Sequence, residues 1–533
     1  MRSVLGDLVA GLLVLGCLLL PDRLSRSDLG SFAAVPIELA LGAVVLLVLP
    51  HRVRRTAAAA LGLVLGLLTL LKIVDAGFYA ALARPYDLIL DWWLVGGAWQ
   101  LLVASLGLGR SLLVAAGVAL VLLGVPLLLA WAVSRLARLL GDHPGAGSAT
   151  IAALMAFWLT CAATGAVLVA PYPVASHAST TKVIGEIDRV RAGLEDERAF
   201  AVEATQDAYR EIPSTRLLSG LRGKQVVIIF VESYGRIALT HPAVAPEITG
   251  VLDRGTRRLS AAGLQVRSGY LTSPTAGGGS WLAHSTLLSG LWIDSQQRYR
   301  SLVSGDRLTL TRAFAAGEWR TVGVMPGMTS AWPEGAFYGY QDVLDSSDLG
   351  YRGPAYGWAR VPDQFTLAVT ARLLAEDAED RPTMAVVPLI TSHAPWTPVP
   401  ALVDPTRVGD GSSLTPAVGS VEPPEAIGSR AVSRVRADYA RSIGYSLDSV
   451  VAQLTADARD DLVVIMLGDH QPAPVVTGPD AGRDVPISVI TADPSVLDRI
   501  GDWGWTPGLQ PVADAPIWRM DEFRDRFLDA YSD

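Results

Sequence analysis

The chain has 533 residues, half of them hydrophobic, two cysteines and a formal net charge of -8. That length exceeds one ordinary domain, two cysteines cannot build a disulfide framework, and there is no basic surplus to form a nucleic-acid face. The apolar residues are spread unevenly: residues 1–171 are dominated by Leu, Ala, Val and Gly, while the remainder has ordinary globular composition.

Five stretches, 4–20, 32–49, 57–74, 111–132 and 149–170, approach the roughly 20 apolar residues that a helix needs to cross a bilayer. The first is expected to be a membrane anchor, because no small-x-small cleavage site follows it convincingly. Between the third and fourth, DWWLVGGAWQLLVASLG (91–107) is too rich in Trp for a clear span and reads as an interfacial or re-entrant piece. The arginine-rich loops HRVRR (51–55) and SRLARLL (134–140) should be cytoplasmic. Five spans then leave the N-terminus inside and everything after residue 171 outside. Arg23 and Arg26 dissent mildly, lying in a loop assigned to the outside, beside Asp22 and Asp28. Cys17 and Cys161 both fall within proposed spans.

Residues 172–222 read as a connector of one or two helices, with mixed charges and apolar residues at helical spacing. From residue 223 to the end, short apolar runs alternate with helical stretches. The runs QVVIIFV (225–231), RTVGVM (320–325), MAVVPLI (384–390), DLVVIML (461–467) and PISVIT (486–491) lack polar alternation. Such strands predict an α/β domain whose mostly parallel sheet is covered by helices on both faces. The stretch 404–426 is rich in Pro, Gly and Ser and reads as a surface loop.

In open α/β sheets ligands collect beyond the carboxyl ends of the strands. Three apolar runs end on titratable groups: Glu232, His393 after Thr391-Ser392, and Asp469-His470 after Gly468. A solvated loop residue or a cap is the bland account of each alone, but their convergence at one sheet edge makes a site for a divalent cation. The absence of cysteine there argues against a structural zinc centre. The stretch SGYLTSPTAGGGSWLAHSTLLSGLW (268–292) supplies hydroxyls, with Gly277, Gly278 and Gly279 allowing a tight turn ahead of a helical pattern. Ser280 is there either a helix N-cap or a nucleophile.

The segments VVIIFVESYGR, TAGGGSWLAHSTLLSGL, TSHAPW and VIMLGDH resemble the alkaline phosphatase and sulfatase superfamily, and most closely its membrane branch typified by lipoteichoic acid synthases. The resemblance implies five membrane helices followed by an external catalytic domain, hence boundaries of 1–171, 172–222 and 223–533. It puts Glu232, Asp469 and His470 on metal ligands, Ser280 on the nucleophile and a further ligand, and His393 on the histidine that contacts phosphate or protonates the leaving group. Ser280 also lies ten residues before Gly290, the spacing at which sulfatases place their nucleophile; Thr275 is the fallback. His284 and Trp332 are the candidate substrate contacts. Two departures stand out. Leu282 and His284 replace the Pro or Ala and the Arg required for formylglycine formation. MPGMTSAWPEG keeps only Gly327 and Trp332 of the glycerol phosphate pocket, with Met325 and Glu334 where His and Arg would stand.

The expected function is a membrane-bound, metal-dependent phosphotransferase. It would move the head group of a phospholipid to an envelope glycan or lipid through a phospho-Ser intermediate. One divalent ion is implied, manganese first, with zinc and magnesium as the other candidates. A phosphodiesterase or sulfatase-type hydrolase and a non-catalytic envelope sensor are the alternatives. Oligomeric state is not legible.

Overall fold

The computed structural model describes the chain except residues 1, 22–29, 31, 83, 88–90, 171, 330–331, 357–359, 378–380, 397, 417–429 and 479–480. The Arg23 and Arg26 loop, and the end of the Pro-rich stretch, lie outside the described residues. The chain divides into two compact units, residues 1–80 with 84–196, and residues 197–533 with 81–83.

The first unit is helical: α1 (Arg2–Leu19), α2 (Ile37–Val48), α3 (His51–Leu82), α4 (Leu94–Asp142), α5 (Pro144–Thr164) and the start of α6 (Ala178–Thr205). Among the described residues three helices are long and apolar enough to cross a membrane: His51–Leu82, Leu106–Asp142 and Pro144–Thr164. The other two expected spans are shorter apolar helices, Val4–Leu19 and Ile37–Val48. Prolines bracket α2: Pro36 precedes it and Leu49, held extended ahead of Pro50, ends it. Its 12 residues therefore reach only about 18 Å. The Trp-rich piece forms a short 3-10 turn, Asp91–Trp93, and then joins α4, whose path breaks at Gly107 (φ 76°, ψ 159°). Only glycine takes that conformation readily. Gly66 of α3 marks a close helix approach, since a Cβ there would lie 2.4 Å from the Pro126 Cα of α4. Small residues permit such contact where no hydrophobic drive separates protein from lipid.

The second unit is built on a nine-stranded sheet. Its strands are β1 (Gln225–Val231), β2 (Gln265–Thr272), β3 (Arg320–Val324), β4 (Asp342–Leu344), β5 (Thr383–Leu389), β6 (Leu462–Gly468), β7 (Asp484–Thr491), β8 (Thr506–Pro507) and β9 (Ile517–Arg519). Spatial order is β8-β2-β7-β6-β1-β5-β3-β4, with β9 also on β2. The run from β6 to β4 is parallel throughout, whereas β7 pairs antiparallel with both β6 and β2. All seven residues of β1 and of β6 are buried. Val226, Ile228 and Phe230 join one core cluster and Val227, Ile229 and Val231 the other, so both faces are covered and no polar alternation can be tolerated. Each such side chain contributes roughly 1.5–3 kcal/mol on burial. The sequence reading found five of these strands and missed four: the short β4, β8 and β9, and β2, whose QVRSGYLT mixes polar and apolar residues.

Candidate active site

The parallel strands β1 and β6 are neighbours in register, Val231 pairing with Gly468. Their last residues therefore release Glu232 and Asp469-His470 side by side. Gly468 is required there, because a Cβ would sit 1.9 Å from the Tyr234 carbonyl oxygen. Ser233, at φ 59°, turns the chain back so that its N–H donates to Asp469 Oδ1 at 2.8 Å. The His470 N–H donates to the same oxygen at 2.7 Å. That leaves Oδ2 directed at the cluster, 3.7 Å from His470 Nε2.

Ser280 is brought to this edge by the loop after β2. Gly277, Gly278 and Gly279 all have positive φ (77°, 153° and 83°), and the Gly277 N–H donates to the Gln471 carbonyl at 2.8 Å. Helix α7 (Ser280–Ser289) starts on Ser280 itself, with Gly279 as its cap residue and no side-chain cap bond. Ser280 is thus not an N-cap. Its hydroxyl donates to Glu232 Oε2 at 2.9 Å and lies 3.2 Å from His470 Nε2. The Ser233 hydroxyl donates to the other Glu232 oxygen, also at 2.9 Å.

The donor set fits a divalent cation. One atom each of Glu232, Asp469 and His470 lies within 4.8 Å of the others, and all three residues are buried. His470 Nδ1 sits 2.8 Å from the Gln471 carbonyl oxygen. Donation there fixes the tautomer and presents the Nε2 lone pair to the cluster. Two buried carboxylates and an imidazole without a cation must share a proton. Burial opposes charge on Glu232, yet His393 and His470 hold its carboxyl well below the usual range. Burial and the Glu232 charge push Asp469 up. His470, although burial disfavours its charged form, is pushed up to about 9 by Asp469 and Glu232. A cation at this place would supply the positive charge that the protonated imidazole supplies here.

His284 lies one turn beyond Ser280 on α7. Its ring packs on Phe230, centroids 4.0 Å apart, and Nε2 is 4.0 Å from Asp469 Oδ2. That nitrogen is buried and has no hydrogen-bond partner. Burial pushes the imidazole down to about 4 against the pull of Glu232, so it is neutral. Thr275 Oγ1 is buried and likewise lacks a hydrogen-bond partner. His393, in the loop after β5, bears on Glu232 through its charge. Trp332 packs with Tyr338 and Tyr340, at 5.3 and 6.1 Å between centroids. Trp332 packs against the core cluster that includes Leu282 and Ala283 of α7, and its neighbour Tyr338 contacts Ser285 at 2.6 Å.

Four supporting residues escaped the sequence reading. The Ser392 hydroxyl donates to the Glu232 carbonyl at 2.6 Å, and the Tyr439 hydroxyl to the Ser233 carbonyl at 2.9 Å. Asp363, buried, accepts the N–H groups of Ile390 and Thr391 at 2.8 and 2.9 Å and so pins the loop that carries His393. The Ser273 hydroxyl donates to the Asp469 carbonyl at 2.6 Å. Only Ser392 carried a sequence signal, its place at a strand end.

The family model for sulfatases matches residues 195–483, which is just over half of the chain. The chain belongs to the sulfatase family. It is accordingly an enzyme of the alkaline phosphatase and sulfatase superfamily, a transferase or a hydrolase. No relative is found among curated proteins. Among solved structures, this sulfatase-family chain is similar to a lipoteichoic acid synthase of Listeria monocytogenes, at 12% identity over 62% of this chain and 76% of that one, with a TM-score of 0.38. The periplasmic domain of EcEptC from Escherichia coli, in complex with Zn, shares 14% identity over 59% and 84%, with a TM-score of 0.37. The phosphoglycerol transferase GacH of Streptococcus pyogenes, in complex with sn-glycerol-1-phosphate, shares 11% over 64% and 91%, with a TM-score of 0.35.

Proposed function

We propose that this sulfatase-family enzyme is held in the cytoplasmic membrane by its helical unit, with the sheet domain outside, and transfers the phospho-head group of a phospholipid. The observation that carries the reading is the Ser280 hydroxyl, donated to Glu232 beside His470 at the edge of a buried carboxylate cluster. Ser280 Oγ attacks the phosphodiester phosphorus, and its proton passes to Glu232, which already accepts it as a hydrogen bond. The bond from phosphorus to the diacylglycerol oxygen breaks, and His393 gives that oxygen its proton. A hydroxyl on an envelope glycan or lipid then gives its proton to His393 and displaces Ser280 from the phosphoryl group, while Ser280 takes its proton back from Glu232, which regenerates the enzyme. His284 and Trp332 are the proposed substrate contacts.

Glu232, Asp469, His470 and Ser280 would hold one divalent ion, manganese in the first instance with zinc or magnesium as alternatives, which would neutralise charge developing on the transferred phosphoryl group. Apolar helices suit a donor that never leaves the bilayer.

Hydrolysis is the second reading, favoured by the family match itself. The full-length chain incubated with head-group-labelled phospholipid and envelope acceptor should yield labelled acceptor, with label trapped on Ser280 after acid quench. Label recovered only as free head group would sink transfer in favour of hydrolysis. Unimpaired complementation of a deletion by Ser280→Ala would remove catalysis altogether.

A further inference from the structure

The helical unit carries ionisable residues that a lipid-facing helix should not have. Lys72 and Asp75 lie on α3 and are turned inward, 3% and 0% exposed. Such residues are costly in a membrane and mark ligand sites or charge pairs. Part of their role is structural: Lys72 Nζ donates to the Leu18 carbonyl and the Ser179 hydroxyl, each at 3.0 Å, and Asp75 pairs with Lys182. Lys182 also pairs with Glu186 at 2.9 Å, and Glu186 with Arg189 at 2.7 Å.

Beside this cluster lies a cavity of about 560 Å³, the size of an ordinary small-molecule site. Its lining is mixed: the apolar residues Leu19, Leu20, Pro21 and Ala34 stand together with the cations Lys72, Lys182 and Arg189. Among the described residues lining the cavity none is Asp or Glu, although Asp75 and Glu186 pair with Lys182. A purely structural charge cluster requires no such cavity.

Depth supplies an independent argument. Lys72 is 21 residues beyond His51 (72 minus 51) on one continuous helix, about 32 Å along its axis. The hydrocarbon core is about 30 Å thick. With the HRVRR end of α3 at the cytoplasmic face, Lys72 reaches the opposite interface. Tyr79 and Tyr172, which also line the cavity, are residues enriched at that depth.

We propose that this cavity binds the phosphate of an anionic phospholipid from the outer leaflet, its acyl chains running along Leu19, Leu20, Pro21 and Ala34. The proposal rests on the membrane orientation given above, but not on whether the sheet domain transfers or hydrolyses. The site recognises a phosphodiester, and attached acyl chains distinguish a lipid from a free phosphate ester.

The full-length chain, delipidated in detergent, should bind phosphatidylglycerol as followed by native mass spectrometry. Arg189→Gln, at a side chain 36% exposed, should weaken binding at least about tenfold while turnover of a soluble phosphodiester stays unchanged. A photoactivatable phosphatidylglycerol should crosslink to residues 172–189 or to Tyr79 of the unmodified chain, which needs no variant to fold. Diacylglycerol without phosphate should not bind. Crosslinks confined to other helices, or equal affinity in Arg189→Gln, would overturn the site. Glycerol phosphate binding as tightly as the lipid would overturn the lipid as occupant. Loss of soluble turnover in the unmodified chain would count against the catalytic reading alone.

Discussion

The Ser280 hydroxyl donates to Glu232 Oε2 at 2.9 Å, joining the first residue of a helix to the first residue beyond a buried strand 48 positions earlier. The same hydroxyl lies 3.2 Å from His470 Nε2, so it touches two of the three candidate metal ligands. Ser280→Ala should therefore lower turnover of a phosphodiester by at least about a thousandfold, as expected for loss of a nucleophile. Unfolding free energy should change by less than about 1 kcal/mol, since Gly279 and not Ser280 occupies the cap position. Turnover within tenfold of the unmodified chain would move the nucleophile elsewhere, with Thr275 next in line.

Cation uptake should release protons. Without a cation His470 holds its proton up to about 9, because Asp469 and Glu232 surround it. A metal needs the same Nε2 lone pair. Lowering the pH therefore favours the proton over the metal, and raising it favours the metal. Between pH 7.5 and 8.5, calorimetry of manganese binding should show affinity rising about tenfold per unit for each proton displaced. A flat profile would mean that His470 is not a ligand.

Gly468→Ala should damage both fold and site. The added Cβ would meet the Tyr234 carbonyl oxygen at 1.9 Å, a backbone atom that cannot rotate away. Overpacking of this kind costs roughly 1–3 kcal/mol. Displacing the 232–234 turn also moves Glu232 away from Asp469, so manganese affinity should fall with the stability measured by denaturant unfolding. Retention of both would show that the turn yields more readily than its hydrogen bonds imply.

How much of this was written in the sequence depends on the kind of signal. The apolar runs of β1, β5 and β6 are legible because both faces are buried, and their ends locate Glu232, His393, Asp469 and His470. The Gly-Gly-Gly-Ser turn is legible because successive positive φ values demand glycine. By contrast β2 was missed. It lies between β7 on one side and the short β8 and β9 on the other, and Ser268, buried within it, is satisfied by Ser488 and the Gly508 carbonyl. Such pairing is a tertiary fact with no local periodicity. Asp363, which fixes the loop bearing His393, was illegible for the same reason: its partners lie 27, 28 and 83 residues away. The short α2 shows that an apolar stretch fixes composition, while Pro36 and Pro50 fix length.

His284 offers the sharpest separation between stability and function. Its Nε2 is buried and without a hydrogen-bond partner, 4.0 Å from Asp469 Oδ2. An unsatisfied buried polar atom costs about 1–3 kcal/mol. Nothing in packing requires that cost, because an apolar side chain could fill the same space against Phe230. His284→Leu should therefore leave unfolding free energy unchanged or raise it by about 1 kcal/mol. If the nitrogen is instead held for the substrate, the same variant should lose at least about tenfold in kcat/KM toward a phosphodiester. His284→Gln, which keeps a polar group near the same position, should recover part of that loss without the gain in stability. Stabilisation together with unchanged kcat/KM would reduce His284 to a packing residue and leave Ser280, Glu232, Asp469 and His470 to carry the chemistry without it.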